Sequence, residues 1–106
     1  MNRIAIIGAG AMGSGIAQVA AMHGCEVILC DTFEASIIKA RDSIQVSLNK
    51  LVEKNKITDV EAKAIFGRLY FTGDLESVKG CELILEVIVE DEIEKVDRLI
   101  KEYIIE

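Results

Sequence analysis

Short apolar runs alternate with longer amphipathic stretches along this chain. Two five-residue runs, Arg3–Ile7 and Glu26–Cys30, are typical of strands buried in a parallel sheet. Between them, residues 11–23 have a helical composition, and Gly24 is placed to cap the end of that helix. Three apolar positions share one predicted face of the helix: Ile16, Val19 and Ala20. The pattern therefore begins with strand, helix and strand.

Two neighbouring helices are predicted next. Residues 33–54 form a long amphipathic stretch. Its apolar positions recur at helical spacing: Ile37, Ile38, Ile44, Leu48, Leu51 and Val52. A capping box over Thr58–Glu61 begins a second helix that runs to about Leu69. Because only a few polar residues separate the two, we expect a helical hairpin.

The remainder of the pattern predicts two strands and a final helix. The strands are Tyr70–Thr72 and Glu82–Val89, and between them Asp74 caps a single turn that ends near Gly80. The last helix presents one apolar face: Ile93, Val96, Leu99, Ile100, Tyr103 and Ile104. Alternating buried strands and helices predict an α/β fold, a Rossmann-type parallel sheet of about four strands with the hairpin between strands two and three. We expect one domain over residues 1–106.

Composition and charge limit the partners. The 106 residues are 51% hydrophobic and carry a net charge of −6, which argues against nucleic acid or an anionic membrane surface. Residues 4–25 lack any charged side chain and resemble a membrane span, but their five grouped glycines predict strand, turn and helix instead. Backbone N–H groups carry no formal charge, so an acidic chain can still bind a phosphorylated cofactor.

The cysteines indicate neither a disulfide framework nor a metal site. Cys25, Cys30 and Cys81 are odd in number and form no CxxC pair, and the chain has one histidine, His23. We therefore expect reduced thiols, a cytoplasmic location and no bound metal.

The candidate chemistry lies in the segment Gly8-Ala9-Gly10-Ala11-Met12-Gly13, which matches GxGxxG. It follows a predicted strand and opens a predicted helix, and Asp31 ends the next strand 18 residues after Gly13. In this pattern the first glycine permits a sharp turn, the second lets a pyrophosphate approach the backbone, and the third lets helix and strand pack closely. Asp31 would accept hydrogen bonds from ribose hydroxyls and repel a 2′-phosphate, which favours NAD over NADP.

Two alternatives stay open on the residues alone. One is a tight strand-to-helix turn that binds no ligand. The other is FAD, because many flavoproteins share this turn and Ala17 suits the extended flavin pattern.

The segment IGAGAMGSGIAQVAAMHGCEVILCD, residues 7–31, resembles the start of the NAD-dependent 3-hydroxyacyl-CoA dehydrogenases, including the bacterial 3-hydroxybutyryl-CoA dehydrogenases. Residues 47–58, SLNKLVEKNKIT, resemble that family's long second helix and the following turn, and residues 69–91 resemble its third and fourth strands. The match spans essentially the whole chain and favours NAD over FAD.

The resemblance implies roles for further side chains. It places the glycine turn and the acid after the second strand against adenosine and pyrophosphate, and it places Glu90 and Lys95 near the cofactor. Ser47 and Lys54 match positions that touch the CoA tail in the family. Each has an ordinary alternative: Glu90 as a solvated strand-end acid, Lys95 as the partner of Asp91, and the other two as surface residues of an amphipathic helix.

The family's catalytic segments, an Asn-Thr-Ser-Ser segment and a later histidine that acts as general base, are not found in these 106 residues. Nor is the family's helical substrate-binding domain. His23 is predicted at the end of the first helix far from the cofactor. We therefore expect NAD binding with no catalytic residue and little dehydrogenase activity from this polypeptide alone. The alternative is a free-standing NAD-binding sensor or regulatory module.

The apolar strand 82–89 would also be an open edge, which predicts self-association.

Overall fold

A parallel sheet of four strands organises residues 2–87, the part of the chain that the computed structural model describes. The elements in chain order are β1 (Arg3–Ile7), α1 (Ala11–Met22), β2 (Glu26–Cys30), α2 (Glu34–Glu53), α3 (Asp59–Gly67), β3 (Leu69–Thr72), a 3₁₀ turn (Leu75–Val78) and β4 (Leu83–Glu86). The strand order is β3-β2-β1-β4. The Rossmann-type α/β class and the hairpin between strands two and three are confirmed. None of the helices in the described part is long and apolar enough to cross a membrane.

The two faces of the sheet are covered differently. On one face, Ile6 and Leu29 are fully buried beneath the helices. On the other face, Ala5 and Ile28 pack with the 3₁₀ turn, which contributes Leu75 and Val78. Because both faces are covered, each central strand reads as a continuous apolar run rather than an alternating one.

Helix α1 packs through a different face from the predicted one. Its buried apolar positions are Gly13, Ala17 and Ala21, whereas Val19 is 56% exposed and Ile16 and Ala20 are only half-buried. A β-carbon built on Gly13 would lie 1.8 Å from the carbonyl oxygen of Gly8. The helix therefore approaches β1 so closely that only the smallest side chains fit between them. Hydrophobicity alone predicts that the larger residues form the buried face of α1. The close contact with Gly8 instead places the small residues on that face.

The C-terminal end of α1 is held by two side chains. Arg68, which follows α3, donates to the carbonyl oxygen of Ala21 over 2.8 Å. The Nδ1 atom of His23 lies 2.8 Å from the carbonyl oxygen of Val19, which can only accept. Gly24 ends the helix with a φ of 91°, as its predicted role as a cap requires. The Arg68 bond therefore joins the end of α1 to the end of the hairpin.

The hairpin begins and ends as the sequence predicts. The backbone N–H of Glu61 donates to Thr58 Oγ1 over 3.1 Å, and the backbone N–H of Thr58 donates to Glu61 Oε1 over 2.8 Å. This reciprocal pair confirms the capping box. Asn55 turns the chain between α2 and α3 with a φ of 56°, a left-handed conformation that asparagine tolerates well. Ile44 and Leu48 anchor α2 in the core.

Some predicted boundaries and positions change. Ile38 was predicted on the inner face of α2 and is 51% exposed. Strand β4 was predicted over 82–89 and spans Leu83–Glu86, while Ile88 and Val89 lie outside the described residues. The predicted final helix, with its apolar face between 93 and 104, lies outside them as well.

Candidate functional site

The carboxyl edge of the sheet brings the glycine turn beside the end of β2. Parallel pairing places Ile7 opposite Cys30, so the segments after β1 and β2 leave the sheet side by side. The backbone N–H of Gly8 donates to the Cys30 carbonyl oxygen over 2.8 Å. Gly8 adopts a φ of 114°, which side chains other than glycine rarely tolerate. The sharp turn expected at this position is present.

The other two glycines of the motif serve different purposes. At Gly13, the contact with Gly8 leaves no space for a β-carbon, so that glycine is required by packing within the chain. At Gly10, no atom of residues 2–87 lies within 4 Å of a built β-carbon, so nothing in that part of the chain requires glycine there. Gly10 is the N-cap of α1, and it is exposed. The open space beside it is where a ligand can approach the backbone.

The start of α1 is suited to an anion. Its N-cap provides no side-chain hydrogen bond, and its first turn contains no acidic residue. The first N–H groups of a helix have no partner within the helix, and they lie at the positive end of its dipole. Together with the space at Gly10, this arrangement fits a pyrophosphate.

Asp31 holds the turn from the end of β2. Its Oδ2 accepts from the backbone N–H of Ala9 over 2.9 Å, and its Oδ1 accepts from the backbone N–H of Phe33 over 2.9 Å. Each carboxylate oxygen retains a further acceptor site, so Asp31 can still receive ribose hydroxyls. Sequence reasoning identified Asp31 as a ligand acceptor and missed this bridge. The bridge also commits the N–H of Ala9, a predicted cofactor-binding residue, to the chain itself.

The thiol beside this carboxylate is inert. Burial, the largest cause, and the negative charges of Asp31 and Asp74 together raise the pKa of Cys30 to about 11. Cys30 is therefore protonated at neutral pH and provides no nucleophile at the edge of the sheet.

A groove continues from the glycine turn along the outer side of α2. Near the turn it is lined by Ala9, Gly10, Ala11, Ser14, Ser36, Lys39, Ala40 and Ser43. An adjoining hollow shares Lys39 and Ser43 and is also lined by Asp42, Val46, Ser47 and Lys50. Two lysines and several hydroxyls thus line a path that starts at the turn. Among the side chains of the second hollow, only Ser47 was predicted from the sequence as a site residue.

The predicted site residues divide into groups by position. Ser47 lies in the groove, is half-buried, and accepts from Gln18 Nε2 over 2.9 Å. Lys54 is the C-cap of α2, a turn beyond Lys50, and does not line the groove as described. Glu90 and Lys95 lie outside the described residues. His23 follows the last turn of α1, at the opposite end of that helix from Gly10.

Gln18 is a residue that the sequence analysis missed. It is the one amide side chain in the uncharged run from Ile4 to Cys25. A single amide among apolar residues indicates that a hydrogen-bond partner lies elsewhere in the fold. What it contacts lies 29 positions away in the chain, so spacing alone could not identify the partner.

A family model, related sequences and solved structures all connect this chain to 3-hydroxyacyl-CoA dehydrogenases. Residues 3–102 match the family model described as 3-hydroxyacyl-CoA dehydrogenase, NAD binding domain. Over 90 residues the chain is 42% identical to a probable 3-hydroxybutyryl-CoA dehydrogenase of Deinococcus radiodurans, covering 85% of this chain and 32% of that protein. Over 95 residues it is 41% identical to a 3-hydroxybutyryl-CoA dehydrogenase of Mycobacterium tuberculosis, covering 90% and 33%.

The fold agrees as well. The crystal structure of (S)-3-hydroxybutyryl-CoA dehydrogenase from Ralstonia eutropha superposes with a TM-score of 0.92 at 27% identity, covering 98% of this chain and 38% of that one. The chain spans about a third of the length of the curated relatives it matches.

Proposed function

The chain belongs to the family of NAD-binding domains of 3-hydroxyacyl-CoA dehydrogenases, and from that premise we propose that its glycine turn and Asp31 hold NAD for hydride exchange with a 3-hydroxyacyl-CoA. The observation that carries this proposal is the open space beside Gly10 at the start of α1. None of the described residues requires a glycine there, whereas an approaching pyrophosphate does.

Each residue of the turn has a task in this proposal. The N–H groups of Ala11 and Met12, in the first helical turn, face the pyrophosphate. Asp31 keeps its bonds to Ala9 and Phe33 while its remaining acceptor sites receive the ribose hydroxyls. When bound, NAD supplies a nicotinamide ring that accepts or returns a hydride.

Glu90 and Lys95 remain proposed neighbours of the cofactor. The support for this proposal is the resemblance to the family, in which the matching residues follow the fourth strand and lie near the cofactor. Substitution of either residue should weaken NAD binding without changing the stability of the sheet.

A Gly10→Ala substitution tests the pyrophosphate site. The φ of −73° at Gly10 suits alanine and the β-carbon meets no atom of the described residues, so the free energy of unfolding should change by less than about 0.5 kcal/mol. The Kd for NAD, measured by calorimetry, should rise about tenfold or more because the methyl group occupies the ligand's space. Gly15→Ala, also free of clashes, is the matched control. Wild-type affinity in Gly10→Ala would refute the proposed site.

Cofactor choice tests Asp31 separately. Its negative charge should make NADPH bind at least about tenfold more weakly than NADH, because the 2′-phosphate brings like charges together. Calorimetric titration with both cofactors measures this ratio, and equal affinities would remove the role given to Asp31.

We also propose that an acyl-CoA lies along the groove on α2, with its tail near Ser47 and Lys54. The support is that the groove begins at the glycine turn and carries the side chains of Lys39, Ser43 and Lys50. Ammonium and hydroxyl groups suit the phosphates of CoA. Titration with CoA should detect binding that Ser47→Ala weakens. An unchanged Kd in Ser47→Ala would count against this path.

We propose further that these 106 residues bind the reactants without supplying the general base. The sole histidine of the sequence, His23, lies at the far end of α1 from the turn and contacts a backbone carbonyl. Hydride transfer from a hydroxyl group needs a base to take its proton. An assay of the chain with acetoacetyl-CoA and NADH should therefore show little turnover, and turnover typical of the family would refute this.

Self-association through β4 is a further proposal. Within the described sheet β4 pairs only with β1, and Leu83 is 48% exposed on it. An open apolar edge invites pairing with a second copy. Light scattering should find dimers that Leu83→Lys disrupts, and a monomer at high micromolar concentration would contradict the proposal.

The location that we propose is the cytoplasm, since all three cysteines are free thiols. Fractionation of the source cells should recover the chain with cytosolic markers.

A further inference from the structure

We infer that Gln18 is a positioning residue that fixes the Ser47 hydroxyl as a hydrogen-bond donor toward the groove on α2. The inference rests on the proposed binding of acyl-CoA in that groove. It adds a residue of α1 to a site otherwise formed on α2.

The orientation of the Gln18 amide follows from its two neighbours. Its Nε2 atom lies 2.9 Å from Ser47 Oγ and 4.0 Å from Met22 Sδ. A thioether sulfur can only accept, so the amide nitrogen rather than the oxygen belongs on that side. The amide nitrogen carries two hydrogens, so it can donate to both partners. Gln18 donates to Ser47 and does not accept from it.

This bond determines what the serine hydroxyl can still do. A hydroxyl carries one donor hydrogen and two acceptor sites, and Gln18 occupies one acceptor site. Within residues 2–87 no acceptor receives the Ser47 O–H. Ser47 lines the groove between Ser43 and Lys50, so its free proton is available to an oxygen atom lying there.

The ligand that this arrangement favours is rich in acceptor oxygens. The lysines at positions 39 and 50 outnumber the one acid in the lining, Asp42, and attract negative charge, while the Ser47 proton supplies a directed hydrogen bond. In CoA the acceptor is either a phosphate oxygen or an amide carbonyl of the pantetheine arm. Adenosine 3′,5′-bisphosphate and pantetheine, titrated separately, distinguish these two sources.

Replacement of Gln18 by glutamate reverses the bond without changing the shape of the side chain. A carboxylate accepts, so it would draw the Ser47 proton away from the groove. The Kd for CoA should rise about tenfold, whereas the Kd for NAD should stay within about twofold of wild type. Gln18→Met, which leaves the hydroxyl free to rotate, should give a smaller increase of about threefold.

Charge requires its own control. Gln45→Glu adds the same charge to an exposed position of α2, where Gln45 contacts only Asn49 among the bonds described. It should change the Kd for CoA by less than about twofold, and that change should vanish in high salt.

A double-mutant comparison separates positioning from general structural damage. In a Ser47→Ala background, Gln18→Glu should have no further effect on CoA binding, because the proton it redirects is gone. A persisting effect would overturn the inference.

The remaining outcomes are also decisive. Wild-type CoA affinity in Gln18→Glu, alongside weakened binding in Ser47→Ala, would overturn the inference and leave the proposed groove standing. Absence of CoA binding by the wild-type protein would overturn the proposed groove and the inference with it.

Discussion

The carboxyl edge of the sheet and the groove on α2 are adjacent, but they are built from different parts of the chain. At the edge, the features are backbone N–H groups, a positive φ at Gly8 and space left by absent side chains. In the groove, they are the ends of long or hydroxylated side chains such as Lys39 and Ser47. The edge depends on backbone atoms fixed by the fold. The groove depends on side chains, one of which, Ser47, is held by a partner on another helix.

Helix α1 contributes to both regions with different faces. Its small residues, with Gly13 foremost, bring it against β1 and set the position of the turn. Its Gln18 points instead to Ser47 of α2. Tolerance to substitution should therefore differ sharply between the faces of this one helix.

Gly13→Ala should produce the largest loss of stability. A methyl group 1.8 Å from the Gly8 carbonyl oxygen forces the helix away from the strand, which should lower the free energy of unfolding by about 3 kcal/mol or more. Chemical denaturation measures the change. Gly15→Ala, in the same helix with open space around it, should instead stabilise the protein by up to about 1 kcal/mol. Similar effects of the two substitutions on stability would contradict the proposed difference between the two faces of α1.

Asp31→Asn should have the next largest effect. The new amide can accept from only one of the N–H groups of Ala9 and Phe33, and its own N–H₂ would face the other. An unsatisfied backbone donor should cost about 1–3 kcal/mol in stability. Thermal unfolding measures this loss of stability, and calorimetry should show weaker NAD binding in the same variant. A loss of NAD affinity at unchanged stability would mean that the bridge contributes nothing to the turn.

Thr58→Ala tests the hairpin, away from the edge. Loss of the cap should lower the free energy of unfolding by about 1 kcal/mol and leave NAD binding unchanged. Hydrogen bonds from Thr58, chiefly from its backbone, lower the pKa of Glu61 below its ordinary value of 4.5. A carboxylate whose pKa is lower in the folded state than in the unfolded state stabilises the fold at pH values above the unfolded-state pKa. This stabilisation is lost as the pH falls through the folded-state pKa.

The pH dependence follows directly. The difference in stability between wild type and Glu61→Gln, which cannot ionise, should be constant near neutral pH and shrink as the pH falls below about 4.5. Denaturation at pH 7 and at pH 3 compares the two. A difference that grows in acid would contradict the assignment of the capping box.

Lys54→Ala should give the smallest effect. The side chain is exposed at the end of α2, so stability should change by less than about 0.5 kcal/mol. If Lys54 meets a CoA phosphate, the Kd for CoA should rise less than about tenfold, and added salt should reduce the difference. A large effect that persists in high salt would mean that Lys54 forms a buried contact with CoA. The groove would then depend on fixed groups, as the carboxyl edge of the sheet does.

Much of the fold and part of the site could be predicted from the sequence. The bounds of β1 and β2, the cap at Gly24 and the Thr58 capping box depend on neighbours within a few positions, and each is confirmed. The glycine turn belongs to the same group, because the conformation at Gly8 is a local backbone requirement. The NAD-binding family followed from that turn and the segments around it.

Tertiary structure decided the rest. Hydrophobic periodicity placed Val19 on the inner face of α1, but the contact between Gly13 and Gly8 turned the small residues inward. The bridge from Asp31 to Ala9 joins residues 22 apart, and the Gln18–Ser47 bond joins residues 29 apart. Local propensities act between near neighbours in the chain, whereas such contacts exist only once the sheet and helices have packed, so the sequence determined the turn and the packing determined which side chains support it.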